Sequence, residues 1–220
     1  LYIAALATIA TLSCGLIVAW AARAVRSGRK PRLARFLAGV SSLGYAIPGT
    51  VLAIGLLTPL VMFDSFYNHL MSWLGISATG LLLMGSTLAL VLAYTLRFLA
   101  ISIGGIEAGL ARIPASLEQA SRLLGETPAG TLKRVHLPLL RPAMGAAALL
   151  IFVDAMKELP ATLLLRPMNF ETLATWLYAE AARGTYEEGA VAALAIVLAG
   201  LIPVILLART QLMASGPRAS

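Results

Sequence analysis

Long apolar runs alternate with short basic or acidic segments along this chain, and that pattern sets the fold class before any motif is read. Five windows hold the roughly 20 mostly apolar residues that a membrane-crossing helix requires. They are Leu1–Ala22, Phe36–Phe63, Thr79–Leu96, Pro138–Leu159 and Gly189–Leu207. None alternates as a strand would, and a spanning strand needs only about ten residues, so the windows predict helices and not a barrel. Pro48, Pro59 and Pro203 fall within or beside them, which lipid tolerates when neighbouring helices satisfy the freed carbonyls. The pattern predicts an all-α polytopic bundle of five transmembrane helices over residues 1–215, followed by a short tail at 216–220. Asp64–Leu74 and Phe170–Ala182 mix apolar and polar residues at helical spacing. Both predict short interfacial helices, with Trp73, Trp176 and Tyr178 at headgroup level.

Composition supports the same class. The chain has 220 residues, 59% of them hydrophobic and only 12% charged, and a mean hydropathy of +0.86. A soluble domain carries roughly 25% charged residues. Cys14 is the lone cysteine, which excludes an intrachain disulfide and a cysteine metal cluster.

The net charge of +7 would suit nucleic acid, but its placement argues for topology instead. Arg23, Arg26, Arg29, Lys30, Arg32 and Arg35 fill the first connection. Arg97, Arg112, Arg122, Lys133, Arg134 and Arg141 fill or border the third, and Arg209 and Arg218 follow the last window. The other connections hold Asp64, Glu158, Glu171, Glu180, Glu187 and Glu188, with only Lys157, Arg166 and Arg183 as cations. The positive-inside rule then predicts an N-terminus outside and a C-terminus in the cytoplasm. The basic residues would face anionic lipid headgroups, and no nucleic-acid partner is expected. The outer acids read as solvated charges, with contact to a binding protein as the sharper alternative. Leu1 stands directly in an apolar run with no basic n-region or cleavage site, which predicts a preceding segment and not a signal peptide.

The stretch Pro114–Pro138 is the most informative. It parses into two short helices: Ser116 as a cap with Gln119 completing a capping box, Gly125 at the left-handed stop, then Thr127 as a cap with Pro128 at the first position. Pro138 would open the next span. Gly125 and Gly130 have the spacing of a phosphate loop, but Thr131 stands where the phosphate lysine is needed and no strand precedes it. The chain is therefore expected to have no ATPase site of its own, and so not to be an enzyme.

This loop resembles the EAA loop of ABC importer permeases: Glu-Ala-Ala, three residues, Gly, nine residues, Ile, one residue, Leu-Pro. The frame falls on Gln119-Ala120-Ser121, Gly125, Val135, Leu137 and Pro138, with Gln for Glu, Ser for the second Ala and Val for Ile. Glu118, next door, is a candidate for the lost carboxylate, although a helix turns it about 100° away. The resemblance implies a coupling element docking on partner ATPase subunits, which would hold ATP and Mg2+. It also implies a second permease half, a periplasmic substrate-binding protein and a bacterial inner membrane. No cofactor is expected on this chain.

Asp154, Lys157, Glu158 and Pro160 form a second cluster. Ionisable residues inside a span are by default functional candidates. Counted from Pro138 at about 1.5 Å per residue, Asp154 and Glu158 fall near the outer boundary of the hydrocarbon core. Asp154 and Lys157, three apart, can pair, and Pro160 ends or kinks the helix. The cluster reads equally as a structural boundary or as the outer gate of a translocation path. Lys157-Glu-Leu-Pro160-Ala-Thr-Leu-Leu-Leu-Arg166-Pro167, with Asn169-Phe170 following, and Gly44-Tyr45-Ala-Ile-Pro48-Gly49-Thr-Val-Leu-Ala-Ile-Gly55 are similar to ferric-iron-type ABC permeases, commonly two fused halves, of which this chain would be the second. Permeases for thiamine, polyamines or other small solutes share the loop, and an ATP-independent secondary transporter is the competing class. His69 and His136 would lie on opposite sides of the membrane and so could not share a metal.

Overall fold

The computed structural model describes residues 1–26, 39, 44–77 and 80–214, and among these every regular element is helical. In chain order they are α1 (Tyr2–Arg26), α2 (Gly49–Trp73), α3 (Thr87–Ala111), α4 (Ala115–Leu123) and α5 (Pro128–Thr131). A π-helical turn, Leu132–His136, carries α5 into α6 (Leu137–Met156), and α7 (Pro160–Leu165), α8 (Leu173–Arg183) and α9 (Tyr186–Ala214) follow. Among the described residues Tyr2–Arg23, Gly49–Trp73, Thr87–Ala111 and Pro128–Met156 are long and apolar enough to cross a membrane. The fifth predicted window, Gly189–Leu207, lies inside the 29-residue α9.

The boundaries differ from the windows for identifiable reasons. Most of residues 36–43 fall outside the described residues, and α2 begins only at Gly49, after Pro48 with its extended ψ of 139°. It then runs through Asp64 to Trp73, so Asp64–Leu74 is not a separate interfacial helix. Asp64 is buried, and its carboxylate accepts the N–H groups of Leu83 (2.8 Å) and Met84 (2.9 Å), which fixes the turn ahead of α3. That turn displaces the start of the third span from Thr79 to Thr87. The helix also passes straight through Arg97, which the sequence pattern assigned to a connection. The helix expected within Phe170–Ala182 is found as α8, Leu173–Arg183, capped by a Thr172–Thr175 box and ended by Gly184 at φ 79°.

The chain divides into two compact units. One comprises Leu1–Thr8, Ile47–Arg97 and Phe152–Ser220; the other comprises Ile9–Ala46 and Phe98–Ile151. In the first, α2 packs on α7 and α8 packs on α9. Many large apolar side chains of α2 and α9 stay exposed, among them Ile54, Met62, Phe66, Val197 and Ile202, as a lipid-facing surface requires.

The second unit is held by close helix approach. A Cβ on Gly15 would lie 2.6 Å from the Ser102 Cβ, one on Gly105 3.0 Å from Ala147, and one on Gly109 2.8 Å from Ala143. The Gly105–Gly109 pair thus lets the α3 segment press on that of α6, as small residues do in lipid. A Cβ on Gly145 would meet nothing within 4 Å, so within the small-residue run 145–148 of α6 it is Ala147 that makes this contact. Ala19, Ile106, Leu110, Ile113 and Leu140 form the buried cluster beside it.

Candidate functional site

The Pro114–Pro138 stretch folds as two helical pieces about a glycine elbow, with two departures from expectation. Pro114 is the N-cap of α4 and makes no side-chain cap bond; Ser116 lies inside the helix and closes no box with Gln119. Gly125 adopts φ 82°. The Gly125 N–H reaches the Arg122 carbonyl and the Glu126 N–H reaches that of Ser121, the paired bonds that end a helix on a left-handed residue. Thr127 caps α5, accepting the Gly130 N–H at 3.1 Å with Pro128 at the first position. The Gly130 amide therefore serves a helix cap in what looked like a phosphate-loop spacing.

The second departure is that α5 is no separate helix. It continues through the π turn into α6, so Pro138 stands inside a helix that opens at Pro128. A proline ring clashes with the carbonyl four residues back and has no N–H to offer it. The Leu137 N–H bonds to Leu132 instead, and this widened ladder just ahead of Pro138 is a low-cost accommodation of the ring.

Burial sorts the predicted coupling residues. Gln119, Ala120, Gly125 and Pro138 are exposed, while Val135 and Leu137 are half-buried. Leu123 and Leu124 stand 89% and 84% exposed, forming with Leu117 an apolar face that the motif frame did not single out. Glu118 turns the other way. Its Oε1 receives the Arg23 Nε at 2.6 Å and lies 3.0 Å from the His136 Nε2. Glu118 therefore does not stand in for the missing motif glutamate on the exposed face. Arg23 also donates from Nη1 to the Leu110 carbonyl at 2.6 Å and from Nη2 to that of Ile113 at 3.5 Å. Ser121 and Thr131 share a buried hydroxyl–hydroxyl bond of 2.9 Å across the elbow.

The second predicted cluster is split by the structure. Asp154 and Lys157 form the expected ion pair (2.8 Å), with the Lys157 side chain 61% exposed. α6 ends at Met156, ahead of Pro160, which opens α7. Glu158 lies in the break between them and points inward, buried to 6% exposure. Its Oε2 meets the Arg97 Nε at 2.8 Å and its Oε1 accepts the Ala161 N–H at 3.3 Å. The Arg97 Nη1 reaches the Ile47 carbonyl at 3.0 Å. The Tyr94 hydroxyl lies 3.3 Å from the Glu158 carbonyl and also bonds the Thr162 hydroxyl. Gly49 closes the cluster: a Cβ there would stand 2.6 Å from the Glu158 Oε1 and 3.1 Å from the Arg97 Nη1.

Arg97 lies ten residues after Thr87 and fourteen before Ala111, about 15 Å and 21 Å from the two ends of α3. The Glu158 carboxylate therefore pairs with a residue inside α3 and not with one at its end. Ile47 and Gly49 of one signature stretch and Glu158 of the other meet Arg97, which charge patterning alone groups with the topology-setting cations. The available signal was its setting, a single cation between the apolar runs Leu88–Leu96 and Phe98–Gly105.

Farther along, Arg166 pairs with Glu171. The Thr175 hydroxyl, donating to Glu171 at 2.6 Å, is the main cause holding that carboxyl below its ordinary range, with Arg166 adding to it. Glu180 is buried and bonded to Arg183 and Thr185, so it is not one of the solvated outer charges it resembled.

Comparison with known proteins fits this geometry. The chain is 29% identical over 205 residues to the Fe(3+)-transport system permease protein FbpB 2 of Haemophilus influenzae, covering 93% of this chain and 37% of that one. It is 34% identical over 197 residues to the putative 2-aminoethylphosphonate transport system permease protein PhnV of Salmonella typhimurium, covering 89% of this chain and 65% of the relative. The chain thus spans between about a third and two thirds of these relatives. Its fold is similar to that of a chain in the crystal structure of a bacterial alginate ABC transporter bound to a periplasmic protein, with a TM-score of 0.66, 14% identity, and 91% of this chain and 70% of that chain covered. Residues 11–214 match the family described as binding-protein-dependent transport system inner membrane component, and the chain belongs to that family.

Proposed function

We propose that this chain is the membrane permease of an ATP-binding-cassette importer, oriented with its N-terminus outside and its C-terminus in the cytoplasm, that passes ferric iron delivered by a periplasmic binding protein. The observation that carries the reading is the α4–α5 element, whose Leu117, Leu123 and Leu124 face is exposed while its back is pinned by Glu118. Such a face suits a groove on an ATPase subunit, with Gln119, Ala120 and Gly125 around it and Val135, Leu137 and Pro138 joining it to α6. ATP and Mg2+ then belong to the partner ATPase, and a second permease half completes the path. Leu123→Glu with Leu124→Glu tests this directly, because both side chains are exposed and the chain should fold unchanged. The ATPase should no longer co-purify and uptake should cease; uptake that persists without ATP would make the chain a secondary transporter.

Support for iron comes from the relative named for Fe(3+) transport and from the Lys157–Pro167 and Gly44–Gly55 stretches. A second reading, a small phosphonate, is favoured by the relative named for 2-aminoethylphosphonate transport. Two growth tests with and without the intact gene decide between them: ferric iron as sole iron source, and 2-aminoethylphosphonate as sole phosphorus source. Within this reading Asp154, Lys157, Glu158 and Pro160 line the translocation path. Asp154→Asn is the cleaner probe, since its partner is largely exposed and such a pair contributes about 0–1 kcal/mol. Slowed uptake in a normally assembled complex supports a path residue, and unaltered uptake removes Asp154 from it.

A further inference from the structure

One side chain ties the α4–α5 element to both α1 and the end of α3. Arg23 extends from α1 and, with a single guanidinium, meets the Glu118 carboxylate on α4 and the Leu110 and Ile113 carbonyls at the end of α3. Glu118 in turn contacts His136 in the π turn that begins α6. Four elements thus meet at one charged node: α1, the end of α3, α4 and the start of α6. The node lies against the buried cluster of Ala19, Ile106, Leu110, Ile113 and Leu140, and Ser121–Thr131 closes the elbow beside it.

The chemistry suits a rigid joint. A planar guanidinium presents five donors in a fixed fork and loses little freedom per bond formed, which a lysine cannot match. The last carbonyls of a helix have no intrahelical partner and carry its negative end, so a cation there is favourable. The carboxylate of Glu118, Arg23 and the carbonyls therefore hold one another in place, and displacing α4 by itself would break charge-assisted bonds on every side.

We propose that Arg23 is a positioning residue that makes α4 rigid with α1 and α3, so that a push on the exposed Leu123–Leu124 face moves the spanning helices instead of bending the elbow. The inference rests on the ATPase-docking reading above. It states that the Arg23–Glu118 joint stays closed through the transport cycle and that transport per ATP depends on it.

The test uses the complete transporter, with its ATPase, second permease half and binding protein, in lipid vesicles. Arg23→Gln should leave the ATPase bound and hydrolysing, while solute moved per ATP falls roughly two- to thirtyfold, the range typical of coupling residues. Arg23→Lys keeps a cation for the carbonyls but not the fork, and should fall between; it decides the matter if the glutamine variant does not fold. A third variant carries Arg23→Cys and Glu118→Cys with Cys14→Ser. Without a cross-link it should be uncoupled, and with a short bifunctional thiol cross-linker it should regain transport per ATP. Native transport per ATP in Arg23→Gln or Arg23→Lys would overturn the proposal, as would a cross-link that blocks or fails to restore transport. If the ATPase fails to co-purify with the unaltered chain, the docking reading itself falls, which none of the other outcomes would show.

Discussion

Removing one partner of the Arg97–Glu158 pair should be among the most costly single changes in this chain. The two side chains are 20% and 6% exposed, and Arg97 stands inside α3, ten residues after its start. Breaking a buried pair from one side leaves an uncompensated charge and costs about 3–5 kcal/mol. For a chain of this size that corresponds to a fall of roughly 6–20 °C in Tm. Arg97→Met and Glu158→Leu, each alone, should both reach that range. Together they remove both charges, and with them the donor to the Ile47 carbonyl and the acceptor of the Ala161 N–H. Replacing a buried ion pair by apolar residues of similar volume is often neutral or stabilising, so the double variant should be more stable than either single one. The assay is a double-mutant cycle on thermal unfolding in detergent or nanodiscs, with a coupling of at least about 2 kcal/mol expected. Additive single effects within about 0.5 kcal/mol, or a loss below about 1 kcal/mol for Arg97→Met as at an exposed pair, would refute the claim that this pair organises the break between α6 and α7.

Gly109→Ala would place a methyl 2.7 Å from the Leu140 Cδ2 and 2.8 Å from the Ala143 Cβ; overpacking of this kind costs about 1–3 kcal/mol, readable as a lowered Tm, and an unchanged Tm would mean the helices can separate freely there. Gly125→Ala puts a Cβ on a residue at φ 82° with open space around it, so the cost should be backbone strain alone, about 1–2 kcal/mol, and Gly125→Asn should recover part of it. Thr175→Val removes the main donor that depresses the Glu171 pKa. In the native chain the Arg166–Glu171 pair contributes at neutral pH and is lost only as pH falls through the depressed value, whereas in the variant the loss should begin nearer the ordinary value of about 4.3; a carboxyl NMR titration that does not move upward would refute the assignment.

Hydropathy was enough to show the helical membrane class, and the cap chemistry of Gly125, Thr127 and Pro128 was legible because local backbone rules decide it. What could not be read was where each helix ends, since those ends are set by partners distant in sequence. Asp64 reads as a terminal charge, yet it is a buried acceptor for the turn 19 and 20 residues later. Ser116 has a good capping side chain and loses the role to Pro114, whose extended ψ of 141° starts the helix two residues earlier. Glu118 and Gln119 are neighbours with opposite fates, and only the position of Arg23 on α1 decides which of them faces inward.

The arginines show why charge counting stops short in a membrane chain. Arg23 and Arg97 both belong to the basic set from which topology was read, and counting treats them as interchangeable with Lys30 or Lys133. In the structure each does two jobs with one guanidinium. Arg97 meets the Glu158 carboxylate and the Ile47 carbonyl just before Pro48. Arg23 meets the Glu118 carboxylate and the carbonyls that end α3. Carbonyls beside a helix end need a donor wherever water is scarce, and a carboxylate brought in to neutralise the donor must itself be held. A fork that satisfies both at fixed geometry answers the two needs with one residue; a lysine point charge on a flexible stem does not. Arg97→Lys should therefore lose a large part of the stability that Arg97→Met loses although the charge is retained. A lysine variant as stable as the native chain would show that charge alone, and not the fork, holds α2, α3 and α7 together.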